Sequence, residues 1–478
     1  MQAKFIKNIF LLVIINLLVK PFGILVIEPG VQNTVGATAY GLYNALFSFT
    51  LVFNILLDVG INNFNNRTIA QQSNLLGAHF PGIVALRLVL AIVYVLVLVA
   101  AALVIGYLPA YWMLLMVLAF NQVLAAFLLF IRSNISALQF YKTDSFFSIF
   151  DRVILIAITG WMLLYRKPEF KIEWYVLAQT VAYSISLITA FIILAQHTKS
   201  IFPKWEGQFS ASILRQSFPY AFLILLMILY SRVDVIMLER MLPDGALQSG
   251  IYAQAFRLLD ACNMIGYLFA GLLLPMFARM IQLNEPVEQL ARLSFNLIMV
   301  PALTIIVISF FFSKEIMDTL YIAHTDESSA ILGLVMIGFG CFASNYIFGT
   351  LLTAKGDLSL LNKTAISGVC INIALNIVLI PSYKVNGAAI ASAITQVVMS
   401  VLQLLIAHRQ FKFNYNWNQF ARILAFVICL IAATWLFTQV STGWIIKVTG
   451  TVCVSLLLAM MLQLINLTAL KNLLLSKE

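Results

Sequence analysis

Residues Asn372–Ser392 read NIALNIVLIPSYKVNGAAIAS and decide the fold of this chain. Two apolar segments flank the turn sequence Pro381–Gly387, and the second segment opens with the small residues Gly387, Ala388 and Ala389. Small residues at this spacing allow two helix backbones to approach closely inside lipid, where no hydrophobic force draws helices together. The stretch therefore predicts a tightly packed pair of membrane-spanning helices.

The composition of the whole chain indicates an integral membrane protein. Of its 478 residues, 62% are hydrophobic and 10% are charged, and the mean hydropathy is +0.97. A soluble domain carries about a quarter charged residues. A transmembrane helix needs about 20 apolar residues. We therefore predict an all-α integral membrane protein with fourteen transmembrane helices, at 7–28, 41–62, 83–106, 110–133, 146–165, 174–196, 217–238, 250–276, 292–313, 328–353, 361–381, 386–407, 420–440 and 444–466.

The net charge of +10 does not indicate a nucleic-acid partner, because Lys and Arg are scattered through short loops and form no basic stripe. With the N-terminus in the cytoplasm, most of the 29 Lys and Arg lie on inner loops and inner helix ends, as the positive-inside rule requires. We therefore expect both termini to be cytoplasmic. The five cysteines and four histidines have no metal-ligand spacing, so we expect neither a metal site nor a cofactor.

Weak internal repeats suggest how the chain is divided. Gly41-Leu42-Tyr43 is echoed by Gly250-Ile251-Tyr252, 209 residues later, and further echoes occur at similar offsets. Two parallel repeats are a common transporter plan, with the substrate site between them. We predict an N-terminal six-helix bundle at 1–196, a cytoplasmic linker at 197–216, a C-terminal six-helix bundle at 217–410, and helices 13 and 14 with a cytoplasmic tail at 411–478.

Charged residues within the predicted helices are the candidate site residues: Lys20, Asp58, Arg232, Asp234, Arg257 and Asp260. Each opposes insertion by about 2.5–3.5 kcal/mol at a helix centre. It therefore persists where it faces water, forms a pair or lies near the membrane surface. Because ammonium and guanidinium groups suit phosphate oxygens, we assign Lys20, Arg232 and Arg257 to a cationic cavity that binds a pyrophosphate.

The acidic candidates Asp58, Asp234 and Asp260 are assigned to ion coupling or charge balance. Arg257 and Asp260 are three residues apart and share a helix face, so we expect them to pair. The alternative for each charged candidate is a structural role, as an interhelical pair or as a side chain that reaches the membrane surface. For the Asn and Gln residues within helices, interhelical hydrogen bonding is favoured over sugar binding.

Several motifs occur in an order that carries a family resemblance. They are Gly41-Leu42-Tyr43 with Leu57-Asp58-Val59-Gly60, Ser231–Leu238 with Gly250-x-Tyr252, Thr353–Gly356, and the pattern N-x-x-L-N-x-x-L-I-P … G-A-A-x-A-[ST] in the opening stretch. Together they resemble the polysaccharide biosynthesis and oligosaccharide flippase family, which includes the O-antigen and capsule flippases. That family is part of the multidrug/oligosaccharidyl-lipid/polysaccharide exporter superfamily. One departure is Lys384, which stands where the family often has a glycine.

The resemblance implies a flippase rather than an enzyme. Such a protein moves a polyprenyl-pyrophosphate-linked oligosaccharide from the inner to the outer leaflet of the bacterial inner membrane by alternating access. The partners it implies are the lipid-linked oligosaccharide, membrane lipids and other membrane proteins of polysaccharide assembly.

Two alternatives stay open. A cation-coupled multidrug exporter of the same superfamily needs acidic residues for cationic drugs, whereas the charged candidates include as many bases as acids. A membrane polysaccharide polymerase or ligase would act on the same lipid-linked sugars, but it needs a long outer loop with catalytic residues. The predicted loops are short, and the sequence contains no Walker A, H-E-x-x-H or G-x-S-x-G motif.

Overall fold

The computed structural model describes residues 16, 18–62, 65, 69, 76–138, 140–198, 202–413 and 417–465, and within these ranges it contains helices and no strands. The helices are α1 (Glu28–Val35), α2 (Ala37–Phe53), α3 (Ile55–Asp58), α4 (Leu76–Ile105), α5 (Trp112–Ala137), α6 (Tyr141–Tyr165), α7 (Ile172–Ala195), α8 (Gly207–Met241), α9 (Gly245–Gln282), α10 (Glu288–Phe311), α11 (Ser313–Leu320), α12 (Thr325–Lys355), α13 (Leu358–Phe411), α14 (Trp417–Thr438) and α15 (Trp444–Met461).

Among the described residues, twelve helices are long and apolar enough to cross a membrane. The predicted fold class, an all-α multi-pass membrane protein, is thereby confirmed. One of the twelve, α13, is 54 residues long and contains both predicted helices 361–381 and 386–407. The predicted first helix, 7–28, lies partly outside the described residues. Its described part leads into a π-helical turn at Gly23–Ile27, just after Pro21.

The chain forms two compact units, and the boundary between Ala253 and Gln254 lies inside α9. In the first unit, α2, α5 and α7 pack around a core that includes Tyr43 and Leu118. In the second unit, α12 packs along α13, while α10, α14 and α15 share a smaller apolar cluster around Phe426.

The stretch that opened the sequence analysis forms a close hairpin inside α13. Its backbone leaves helical geometry at Lys384. Beyond the turn, a β-carbon on Gly387 would overlap the carbonyl oxygen of Leu379. Farther along, a β-carbon on Gly368 would lie 2.7 Å from the Sδ atom of Met399. The small residues therefore let the two halves of α13 pack closely, as predicted.

Lys384 adopts a backbone conformation that favours glycine. Its φ is 50° and its ψ is −128°, outside the regions that residues with a β-carbon normally occupy. Such a conformation costs on the order of 1–3 kcal/mol. The departure from the family pattern at this position is therefore also a point of backbone strain.

Replacing Lys384 with glycine is expected to stabilise the protein by about 1 kcal/mol, because glycine adopts this conformation without a steric penalty. The free energy of unfolding can be measured by denaturant titration in mixed micelles. Lys363→Gly is the matched control, since Lys363 is exposed within the regular part of α13. That change is expected to destabilise by about 1 kcal/mol. A loss of stability in Lys384→Gly would show that the turn is not strained.

The two repeated glycines of the sequence meet in the first unit, where α2 crosses the beginning of α9. A β-carbon on Gly41 would overlap the carbonyl oxygen of Ala246, and one on Gly250 would overlap the carbonyl oxygen of Ala37. Ala246 and Gly250 follow Ala37 and Gly41 by the same 209 residues. The contact is therefore symmetric, with equivalent residues on its two sides.

Two hydrogen bonds secure this glycine contact. The Ser249 hydroxyl donates to the carbonyl oxygen of Gly41 at 3.0 Å, and the Gln32 amide donates to the carbonyl oxygen of Gly250 at 2.9 Å. Both donors are buried. The backbones of α2 and α9 lie so close together that neither glycine has room for a side chain.

Gly41→Ala is expected to lower the free energy of unfolding by about 1–3 kcal/mol, because the added methyl group overpacks the contact. The measurement is again unfolding in mixed micelles. In Gly443→Ala, the added β-carbon meets no atom within 4 Å and the backbone is extended, so stability should change little. Equal stabilities of the two variants would argue against a tight contact at Gly41.

Polar side chains within the first unit bond between helices. The Asn54 amide donates to Gln122 at 2.9 Å, and the Asn121 amide donates to the carbonyl oxygen of Val176 at 3.1 Å. Such bonds hold helices together in lipid. The interhelical interpretation of these residues is confirmed.

Candidate functional site

Lys20 lies near a group of charged residues in the first unit. It is half-buried, and the positive charges that act on it are those of Arg152 and Arg132. The negative charges of Asp151 and Asp144 partly offset them. Within the described ranges, the ammonium group of Lys20 forms no ion pair. It is therefore available to an anionic ligand.

Arg152 on α6 is the second base of this group. Its Nε atom lies 3.5 Å from an oxygen of Asp151, and 42% of its side chain is exposed. Tyr183 and Tyr175 on α7, together with Glu28 on α1, are its other polar neighbours. Arg152 also donates a hydrogen bond to the hydroxyl of Tyr183. A guanidinium carries five N–H donors, so these two contacts use only part of its donor capacity.

The remaining members of the group are already paired. Arg132 donates to Asp144 at 2.9 Å, and the hydroxyl of Tyr40 donates to Glu28 at 2.8 Å. We call the six charged residues the Lys20 cluster: Lys20, Glu28, Arg132, Asp144, Asp151 and Arg152. Three bases balance three acids, so the cluster is locally neutral. Its capacity for an anion rests on Lys20 and on the exposed part of Arg152.

Asp58 belongs to a different, structural arrangement. Arg87 on α4 is 1% exposed, and its guanidinium donates to a carboxylate oxygen of Asp58 and, at 2.8 Å, to Asn62. It also donates to the carbonyl oxygens of Leu57 and Ala126 at 3.3 and 3.2 Å. These bonds tie the end of α3 to α4 and α5. Asp58 therefore balances the charge of a buried arginine.

Removing Arg87 alone is expected to be strongly destabilising. Arg87→Met leaves the Asp58 carboxylate without its partner, and breaking a buried pair on one side costs about 3–5 kcal/mol. The double variant Arg87→Met, Asp58→Leu should lose less than the sum of the two single changes. A double-mutant cycle of unfolding free energies measures the difference. Additive losses would contradict a coupled pair.

Arg257 and Asp260 form the pair that their spacing predicts. In the second unit, the Nη1 atom of Arg257 lies 3.2 Å from an oxygen of Asp260, and the side chain of Arg257 is 8% exposed. A phosphate at this point would have to compete with the carboxylate of Asp260. The assignment of Arg257 to substrate binding stays a prediction.

Arg232 and Asp234 on α8 point to different sides of the helix. Asp234 is fully buried and accepts a hydrogen bond from the hydroxyl of Tyr252 at 3.3 Å. Arg232 is half-buried. Asp234 is thus held inside the first unit, where it supports packing of α8 against the beginning of α9. A role of Arg232 toward the substrate also stays a prediction.

The structure adds two bases to those chosen from the sequence. Arg87 and Arg152 both lie near the ends of predicted helices, at 83–106 and 146–165, where a basic residue is expected to reach the membrane surface. Instead, Arg87 is enclosed and Arg152 lies beside Glu28 and Tyr183. The adjacent acid, Asp151, was the signal available in the sequence, because a base next to an acid within an apolar segment is costly unless both have polar surroundings.

The fold is that of a known class of transporters. The lipid II flippase MurJ in an inward closed conformation matches with a TM-score of 0.71 and 12% identity, over 94% of this chain and 97% of that one. An inward-facing multidrug resistance MATE family transporter of the MOP superfamily matches with a TM-score of 0.66 and 11% identity, over 82% and 94% of the two chains. The protein therefore has the fold shared by these two solved structures.

A family model described as "Polysaccharide biosynthesis protein" matches residues 5–281. The chain belongs to this family, and the resemblance drawn from its motifs is confirmed. A related protein is the probable low-salt glycan biosynthesis flippase Agl15 of Haloferax volcanii, 27% identical over 194 residues. This match spans 39% of the present chain and 40% of the relative, so it covers less than half of either protein.

Proposed function

We propose that the protein moves a polyprenyl-pyrophosphate-linked oligosaccharide from the inner to the outer leaflet of the bacterial inner membrane, without altering it chemically. The observation that carries the proposal is that Lys20, whose ammonium group forms no ion pair in the described ranges, lies near Arg152, whose side chain is part-exposed. Membership of the polysaccharide biosynthesis family and the fold shared with the lipid II flippase MurJ support the same conclusion.

The chemistry of the Lys20 cluster suits a pyrophosphate. Two linked phosphates present several oxygens, which a mobile ammonium and a planar guanidinium can contact together. Arg152 reaches Asp151 at 3.5 Å, and a phosphate oxygen would replace this long contact with a shorter one. Arg232 and Arg257 stay candidates for contacts with the substrate. The sugars stay in water, and the lipid tail stays in the bilayer.

Transport requires alternating access of two bundles, 1–196 and 217–410, joined by the cytoplasmic linker 197–216. With both termini cytoplasmic, Gly41 and Gly250 lie at the outer ends of predicted helices 2 and 8. We propose that their contact belongs to a state that is closed on the outside, and that it separates when the protein opens outward.

A second candidate is a cation-coupled multidrug exporter, which the fold similarity to MATE transporters favours. The Lys20 cluster contains three acids, the kind of group that such an exporter needs. However, each of these acids has a basic residue or a hydrogen-bond donor nearby. Because these acids already have partners, the charges of the cluster favour an anionic substrate over a cationic one.

The flippase proposal predicts that Lys20→Ala and Arg152→Ala each slow translocation by about tenfold or more. A charge-assisted hydrogen bond contributes about 1.5–3 kcal/mol, and every 1.4 kcal/mol corresponds to a factor of ten. The assay follows a fluorescent lipid-linked oligosaccharide across the bilayer of vesicles that contain the purified protein.

Lys167→Ala and Arg166→Ala are the matched controls, because both residues are exposed in the connection between α6 and α7. They should transport at the wild-type rate. Equal rates in all five proteins would exclude Lys20 and Arg152 from the substrate path. Export of a cationic dye without translocation of the oligosaccharide would favour the multidrug exporter. Protein-dependent lengthening of the oligosaccharide would indicate a polymerase.

A further inference from the structure

A polar cavity in the second unit lies apart from all charged candidates described above. Its volume is about 200 Å³, and it lies where α10 and α14 begin and α15 has ended. A water molecule takes about 30 Å³ in the liquid, so the cavity has room for a phosphate group with some water. Its polar lining residues are Arg292, Asn296, Asn418, Gln419, Arg422 and Gln463.

The cavity has an excess of positive charge. Arg292 donates to Glu288 at 2.7 Å, which neutralises one of its two guanidinium groups. Arg422 is exposed, and it forms no ion pair within the described ranges. Both helices that begin here also direct the positive ends of their dipoles toward this side. The cavity therefore favours an anion.

A hydrogen bond connects α10 and α14 at the cavity. The side-chain amide of Gln419 donates to Asn296 at 2.9 Å, and so connects the first turn of α14 with α10. Below this bond, Phe426 of α14 is fully buried in the apolar cluster of α10, α14 and α15. Arg422 lies one helical turn before Phe426, which places it at the polar end of the packed face.

The outer face of α14 indicates where this cavity lies in the membrane. Trp417 begins the helix and is 75% exposed. Tryptophan is enriched at the level of the lipid head groups. From there, Phe420, Leu424 and Ile428 are exposed at every fourth position, and they form an apolar stripe that leads away from the cavity. A ligand in the cavity thus has head-group surroundings at one end and hydrocarbon beside it.

We propose that this cavity binds the phosphate of an anionic phospholipid, whose acyl chains lie along the apolar stripe of α14. Basic pockets between transmembrane helices on the cytoplasmic side are typical binding sites for anionic head groups. With both termini cytoplasmic, the lipid comes from the inner leaflet. A soluble phosphate would use the arginines but not the stripe, so the joint arrangement favours a lipid. The site is independent of the transported substrate.

The test measures the binding of phosphatidylglycerol to the purified full-length protein in detergent, with native mass spectrometry as the readout. Arg292→Gln and Arg422→Gln are each expected to weaken binding about fivefold, the equivalent of about 1 kcal/mol for one basic residue near an anionic lipid. Arg409→Gln is the matched control, because Arg409 is exposed at the end of α13 and does not line the cavity. It should bind as the wild type does.

Three further measurements decide the outcome. Arg422→Lys should retain more binding than Arg422→Gln, since it keeps the charge. Phosphatidylcholine should bind equally to all variants, and millimolar inorganic phosphate should not displace phosphatidylglycerol. The proposal is wrong if Arg422→Gln binds phosphatidylglycerol normally, if Arg409→Gln weakens binding equally, or if inorganic phosphate competes. Arg422 forms no described ion pair, so its variant tests the site even if Arg292→Gln disturbs the fold.

Discussion

The free-energy penalty for placing charge in hydrocarbon governs the internal arrangement of this protein. Five groups offset this penalty for Arg87. A carboxylate, an amide and two carbonyl oxygens accept hydrogen bonds from its guanidinium, and the ring of Phe130 lies 4.7 Å from it. Arg257 is paired with the carboxylate of Asp260. The Lys20 cluster offsets the penalty in another way. Its charges sum to zero, but one of its bases, Lys20, forms no ion pair in the described part of the chain.

The fold was largely predictable from sequence, since a membrane-spanning helix requires a long apolar run and little else. The hairpin of α13 was also predictable, because Gly387 and the alanines after it allow close packing of two helix backbones. The backbone at Lys384 was not. A lysine in a turn carries no sign that its φ is positive, and only comparison with the family's glycine pointed to that position.

The candidate site was predicted less completely, for a physical reason. Lys20 was identified because it lies deep within an apolar run, where insertion is costly. Arg152 does not stand out in the sequence, because it lies near the end of a predicted helix, where long side chains reach water at little cost. What distinguishes Arg152 is its position beside Tyr183 and Glu28, two residues on other helices. Such proximity arises from packing and has no counterpart in local sequence.

The contact of Gly41 with Gly250 has the character of a dimer interface within one polypeptide. The same patch faces itself, as in an isologous two-fold contact between identical subunits. Each glycine faces a backbone carbonyl oxygen of the other segment, which restricts both positions to the smallest side chain. It also means that the two surfaces, once apart, present identical small residues and backbone carbonyls. In the proposed outward opening, neither side would leave an unpaired charge behind, so the separation would not require the transfer of an ion from one environment to another.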